Sequence, residues 1–236
     1  MHQTDIALAI AQRLERIRAD MARIALSVGR RAEDVRLIAV SKNQPAASVT
    51  AAVQAGQRDF GENTLQDALT KIPTFAQQSL HWHFIGHLQS NKAKLVPGHF
   101  NWLHSLHDVV LAQRLARKAE EAGVQLQVLI EVNITRDTHK HGVLAEDLFP
   151  LLDALLQAPL PGIALRGLMA MGPYQADATA QRSAFAAVRA LRDDAAQRYS
   201  LPGFTQLSMG MSGDYAAAIQ EGSTMVRIGT AIFGAR

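Results

Sequence analysis

Apolar positions along the chain follow two alternating rhythms. Ile6, Ile10, Leu14, Ile17, Met21 and Ile24 are spaced by four, four, three, four and three residues, with acidic and basic residues between them. That spacing predicts an amphipathic helix packed on a larger body. From residue 35 the rhythm changes, and short β-rich apolar runs alternate with helical stretches. The pattern predicts strands over 35–40, 58–61, 81–85, 101–104, 125–132, 163–169, 205–209 and 225–233. Between them it predicts helices over 45–55, from 64, after 90, and over 108–122, 145–157, 177–199 and 214–220. The helix from Asp108 opens on an acidic residue and closes before Gly123, as helix termini tend to. Eight strands interleaved with helices and preceded by one more helix count out as a (β/α)8 barrel of the TIM type, an α/β fold with an extra N-terminal helix. An open doubly wound sheet ranks lower, because the first strand runs into Ser41-Lys-Asn-Gln-Pro45 with no glycine-rich phosphate turn.

Composition narrows the chemistry. The 236 residues are 48% hydrophobic and 19% charged, which suits a single globular domain over 1–236. No cysteine is present, so thiolate nucleophiles, disulfides, Cys-ligated zinc and iron–sulfur clusters are excluded. A net charge of +3 with dispersed basic residues gives no nucleic-acid arm. The greasiest stretch, 148–168, is interrupted by three prolines, Asp153, Gln157 and Arg166, so no membrane span is expected, and no signal peptide opens the chain.

A barrel carries its site at the C-terminal ends of its strands. Those positions are Ser41 and Lys42 after the first strand, Glu62 and Asn63 after the second, and Gly86, His87, Gln89 and Asn91 after the third. Asn133 follows the fifth strand, Met169 and Met171 close the sixth, Ser208, Met209, Ser212 and Gly213 follow the seventh, and Arg227, Gly229 and Thr230 lie in the eighth. One amine, several hydroxyls and glycines, and an arginine suit a phosphorylated ligand whose carbonyl an amine can capture. Taken singly, a lysine after a strand is a solvated charge and Arg227 a strand-end ion pair. The nine histidines show no metal-ligand spacing and read as surface or hydrogen-bonded loop residues, so no metal is expected. Trp82 and Trp102 read as packing residues, and Met169 and Met171 as lining of the barrel mouth.

Several blocks together carry a resemblance. Ala39-Val-Ser-Lys42, Phe60-Gly-Glu-Asn63, His83-Phe-Ile-Gly86, Leu88-Gln-Ser-Asn-Lys92, Leu165-Arg-Gly-Leu-Met169, Leu207-Ser-Met-Gly-Met-Ser212 and the stretch 222–234 resemble, in order, the pyridoxal phosphate homeostasis protein family. That family is similar to the N-terminal barrel domain of alanine racemases and binds pyridoxal 5′-phosphate without an established catalytic turnover. The resemblance implies that Lys42 forms a Schiff base with the cofactor. It implies that Ser208, Ser212, Gly229 and Thr230 hold the phosphate, that Arg227 faces the pyridine nitrogen, and that Asn63 and Met169 complete the binding site. It implies a cytoplasmic protein that exchanges cofactor with apo-enzymes and has no catalytic residues of its own. Racemases of this fold draw a second base, a tyrosine, from an added domain. The chain stops at Arg236 just after the eighth strand, so no such domain and a monomer are expected. A low-activity amino-acid enzyme and a cofactor-free phosphate-binding barrel are the competing readings. Asn43-Gln44 and His87 depart from the family pattern, and Lys140 matches a lysine of relatives that is read here as an exposed loop residue.

Overall fold

A computed structural model describes residues 3–234. Eight parallel strands close into a barrel in sequence order, β1 (Arg36–Val40) through β8 (Met225–Ile228), with β8 hydrogen-bonded back to β1. Between them lie β2 (Asp59–Glu62), β3 (His81–Phe84), β4 (Trp102–Leu106), β5 (Leu126–Val132), β6 (Ile163–Ala170) and β7 (Gln206–Ser208). The helices are α1 (Gln3–Ser27), α2 (Ala46–Gln54), α3 (Leu65–Lys71), α4 (Val109–Glu121), α5 (Leu148–Gln157), α6 (Ala178–Arg198), α7 (Tyr215–Gln220) and α8 (Thr230–Phe233). A 3-10 helix, Ser90–Leu95, stands where the third connecting helix was expected.

Local chemistry fixes the helix starts. The side chains of Thr64, Asp108 and Asp177 accept hydrogen bonds from the backbone N–H three residues on, capping α3, α4 and α6. The predicted stripe of α1 is buried from Ile10 to Ile24, whereas Ile6 is exposed. α1 packs on α2, α7 and α8, where Arg13 Nη1 donates to Ile232 O and Tyr215 Oη donates to Asp20 Oδ2 at 2.6 Å. Trp82 packs between Phe60 and Phe75, as expected of a core residue.

Two apolar cores result. The large one joins strand outer faces to the helices, and a small one inside the barrel holds Ile38, Leu129, Met169 and Met225. The interior also holds the buried polar side chains of His83, His104, Ser208 and Arg227. His104 on β4 bonds to Ser208 on β7, two strands that are not sheet neighbours, so the contact crosses the barrel.

Two expectations need correcting. The eighth strand ends at Ile228, not Phe233, because the N–H groups of Ile232 and Phe233 both turn back to the carbonyl of Gly229 and open α8. His83 and His104, expected at the surface or in loops, are wholly buried inside the barrel.

Candidate functional site

A cavity of about 480 Å³ opens at the C-terminal mouth of the barrel, within the range of small-molecule sites. Of the eight residues expected to bind a cofactor, Lys42, Asn63, Met169, Ser212, Arg227, Gly229 and Thr230 line it. Ser208 does not. β7 is only three residues long, and its last residue lies fully buried below the cavity floor with its hydroxyl engaged by Arg227 and His104. The structure thus places Ser208, expected from the resemblance to hold the phosphate, beneath Arg227 and off the cavity wall.

Lys42 is half-buried in the turn that leaves β1. Its side chain takes no hydrogen bond or ion pair from any described residue, but both neighbours are pinned. Ser41 Oγ donates to Glu62 Oε1 at 2.7 Å, and Lys71 Nζ reaches Ser41 O at 2.7 Å, Glu62 Oε1 at 2.7 Å and Asp67 Oδ2 at 2.9 Å. Asn43, at a positive φ of 57°, donates its backbone N–H to the same Asp67 oxygen. Burial raises the Glu62 carboxyl above its ordinary value, although Lys71 and Ser41 pull it down. Its second oxygen, Oε2, is buried with no hydrogen-bond partner among the described residues.

Arg227 enters the cavity floor from β8. It is buried and donates from Nη1 to Ser208 O (2.6 Å) and Ser208 Oγ (2.7 Å), and from Nη2 to Ala170 O (3.1 Å). No carboxylate among the described residues lies within ion-pair distance of it, and burial lowers its pKa to about 10 against the pull of Asp214 and Glu131. A buried guanidinium with only neutral acceptors is a strong local positive potential.

Close backbone approach shapes the wall. A Cβ on Gly86 would stand 1.9 Å from Asn63 O, and one on Gly229 would stand 3.2 Å from Val40 O. Around Gly213 there is open space.

Three titratable lining residues, Glu131, His87 and His141, lay outside the expected binding set. Glu131 of β5 is buried against Gly142, its carboxyl has no hydrogen-bond partner among the described residues, and burial raises it despite Arg227 and His107. His87 and His141 stack across the rim with ring centroids 3.9 Å apart, and His87 stands 5.1 Å from His107. Burial and the two neighbouring imidazoles lower the pKa of His87. Alternation would have identified Glu131 as inward-facing, since Met169 pairs beside it in the sheet. Nothing local marked His141. Lys140 is half-buried rather than exposed, and it donates to Gly172 O at 2.8 Å, tying the loop after β5 to the loop after β6. Asn133 Nδ2 closes the same loop onto Asp137 O at 2.8 Å. Met171 lines the mouth as expected. Among the described residues no group of three or more His, Asp or Glu can hold a metal, and no helix is long and apolar enough to cross a membrane.

An amine, a buried cation, two hydroxyls and glycines that let backbone approach suit an anionic aromatic aldehyde. Comparison with known proteins bears on this directly. The alanine racemase N-terminal domain family matches residues 13–236. A pyridoxal phosphate homeostasis protein of Vibrio cholerae is 44% identical over 232 residues, 97% of each chain. Another from Pseudomonas aeruginosa is 46% identical over 227 residues, 96% of each chain. PipY of Synechococcus elongatus, solved with PLP bound, superposes with a TM-score of 0.84 at 38% identity, covering 95% of this chain and all of that one. The blocks around Lys42 and Arg227, the closed barrel they sit on and this full-length similarity agree, and the chain belongs to the pyridoxal phosphate homeostasis protein family, built on the alanine racemase N-terminal domain fold.

Proposed function

We propose that this chain binds pyridoxal 5′-phosphate at the barrel mouth and holds it for exchange with apo-enzymes, as part of intracellular homeostasis of the cofactor, without turning over a substrate. The observation that carries this reading is that Lys42 and Arg227, from the hydrogen-bonded neighbours β1 and β8, line one cavity of suitable size. When bound, pyridoxal phosphate supplies an aldehyde that condenses with a primary amine and releases water.

In this reading Lys42 Nζ presents that amine from a turn whose flanking residues cannot drift. Arg227 faces the ring nitrogen with N–H donors only. A guanidinium accepts no proton and stays charged, so it disfavours a protonated ring and weakens the electron withdrawal that carbanion chemistry needs. Ser212, Thr230, Gly213 and Gly229 supply hydroxyls and close backbone to the phosphate, and Asn63 and Met169 border the ring. No described tyrosine lines the cavity. Tyr215 donates to Asp20 and is pushed up to about 12, chiefly by burial and then by that carboxylate; Tyr199 donates to Asp153, and Tyr174 is 83% exposed. That no tyrosine lines the cavity among the described residues supports holding over racemisation.

Borohydride reduction of the cofactor-saturated protein, followed by peptide mass mapping, tests the site. The reduced adduct is expected on Lys42, and an unmodified Lys42 in saturated protein overturns the assignment. Incubation with alanine in heavy water tests the rest. No α-proton exchange above the protein-free rate is expected, and clear exchange establishes a weak racemase-like enzyme instead.

A further inference from the structure

Beyond Arg227, the buried polar chain inside the barrel has no part in the binding chemistry above. Arg227 Nη1 lies 2.7 Å from Ser208 Oγ, Ser208 Oγ lies 2.9 Å from His104 Nδ1, His104 Nε2 lies 3.0 Å from His83 Nδ1, and His83 Nε2 lies 3.0 Å from Asp59 Oδ1. The chain runs from the cavity floor to the N-terminal end of β2, at the opposite end of the barrel.

Its protons follow from the two ends. Asp59 Oδ1 only accepts, so His83 carries its hydrogen on Nε2, and a neutral His83 then accepts at Nδ1. His104 must donate there from Nε2, which leaves its own Nδ1 an acceptor. From the other end, Arg227 only donates, so Ser208 Oγ accepts from it. Ser208 Oγ has no third partner among the described residues, and its hydrogen goes to His104 Nδ1. Both ends dictate the same direction. The surroundings favour neutral rings: burial lowers both histidines, His104 well below the usual range with help from His83 and Arg227, and His83 against the pull of Asp59. Burial raises Asp59, but the hydrogen bond from His83 and the nearby Arg36 guanidinium help to outweigh it, and the carboxyl stays below its ordinary value.

Every hydrogen in the chain therefore points away from the cavity, and every lone pair points toward it. That order aims dipoles, ending in a carboxylate, at a buried guanidinium that has no ion-pair partner among the described residues. We propose that Asp59, His83 and His104 are positioning residues that act as a one-way relay, locking the Ser208 hydroxyl as an acceptor and fixing Arg227 for the cofactor ring from the far end of the barrel. The inference rests on the reading that Arg227 faces the ring nitrogen. The relay moves no proton, because Arg227 does not give one up.

Nitrogen-15 NMR of histidine-labelled protein, with and without pyridoxal phosphate, reads which ring nitrogen is protonated, while the visible spectrum and cofactor retention read the cavity. Both His83 and His104 are expected in the Nε2–H form. Asp59→Asn keeps the shape but gives the chain an end that can donate or accept. Its histidines are expected to become mixed tautomers. Cofactor retention should fall about five- to tenfold and the pH midpoint of the visible band should move, with the borohydride label still on Lys42. If Asp59→Asn fails to fold, Ser208→Ala, which loses one hydroxyl, is expected to show the same loss and shift. An Nδ1–H form of either ring in the wild type overturns the relay. So does a folded Asp59→Asn or Ser208→Ala protein with unchanged band and retention. A wild-type protein that takes up no cofactor overturns the reading of the site, and the relay's role with it. The cofactor-free tautomers distinguish that failure from the first.

Discussion

Lys42→Ala is expected to give a protein that, saturated with pyridoxal phosphate, shows no band from lysine-bound cofactor and no mass added by borohydride at any residue of the cavity. The fold should be indifferent to the change. The Lys42 side chain is half-buried and makes no hydrogen bond or ion pair with a described residue, so stability should stay within about 0.5 kcal/mol of wild type. Lys42→Arg separates charge from nucleophile: it keeps the cation and lacks the primary amine, and it too should remain unlabelled. Arg227, Ser212 and Thr230 remain, so reversible binding should persist at lower affinity. Absorbance spectra, equilibrium dialysis and thermal melts of the three proteins check these points together. A band of wild-type intensity in either variant would show that the capturing amine lies elsewhere.

Lys71→Met should be the most destabilising single change near the site. It removes the one cation that serves the buried Glu62 carboxyl, the Ser41 carbonyl and Asp67 together. Stranding one partner of a buried pair costs about 3–5 kcal/mol, and for a domain of this size each kcal/mol lowers Tm by about 2–4 °C. The pH dependence has a definite sign. A carboxyl whose folded pKa is raised opposes folding when ionised, and the penalty is relieved as pH falls through that raised value toward the unfolded one, about 4.3. Removing Lys71 raises it further. The deficit relative to wild type should therefore be greatest at neutral pH and shrink on acidification, as read from urea midpoints across that range. Glu62→Gln in the same background should restore part of the loss. A deficit that stays constant with pH would mean that Glu62 is not the stranded group.

The barrel could be read from the sequence because its signals are local. Strand spacing, acidic caps such as Asp108 and the closing Gly123 each act within a few residues. The end of β8 could not be read this way, because apolar residues continue from Ile228 through Ala231, Ile232 and Phe233. What stops the strand is the Gly229 carbonyl taking two later N–H groups. The site residues around Lys42 and Arg227 were legible through their motif blocks. The burial of Ser208 off the cavity wall was not legible, since depth depends on where a three-residue strand sits against its neighbours. His83 and His104 were misjudged for a related reason. Burying an imidazole requires polar partners, and of the two that His104 has, Ser208 is 104 residues away in the chain. His81 shares a face with His83 by alternation yet is largely exposed, because it begins β3 at the barrel rim.

The closure of β8 on β1 sets an order of events at the ribosome. Lys42 emerges early, but Arg227, Gly229 and Thr230 belong to the last strand and helix, and the Arg36↔Met225 to Ala39↔Ile228 register that brings them beside Lys42 forms last. A nascent chain halted before β8 carries the Lys42 amine without Arg227, Gly229 and Thr230, and its first strand has an unpaired edge. In the proposed reading, capture of the cofactor therefore awaits the pairing of β8 with β1, and a product halted before β8 is expected not to compete for it.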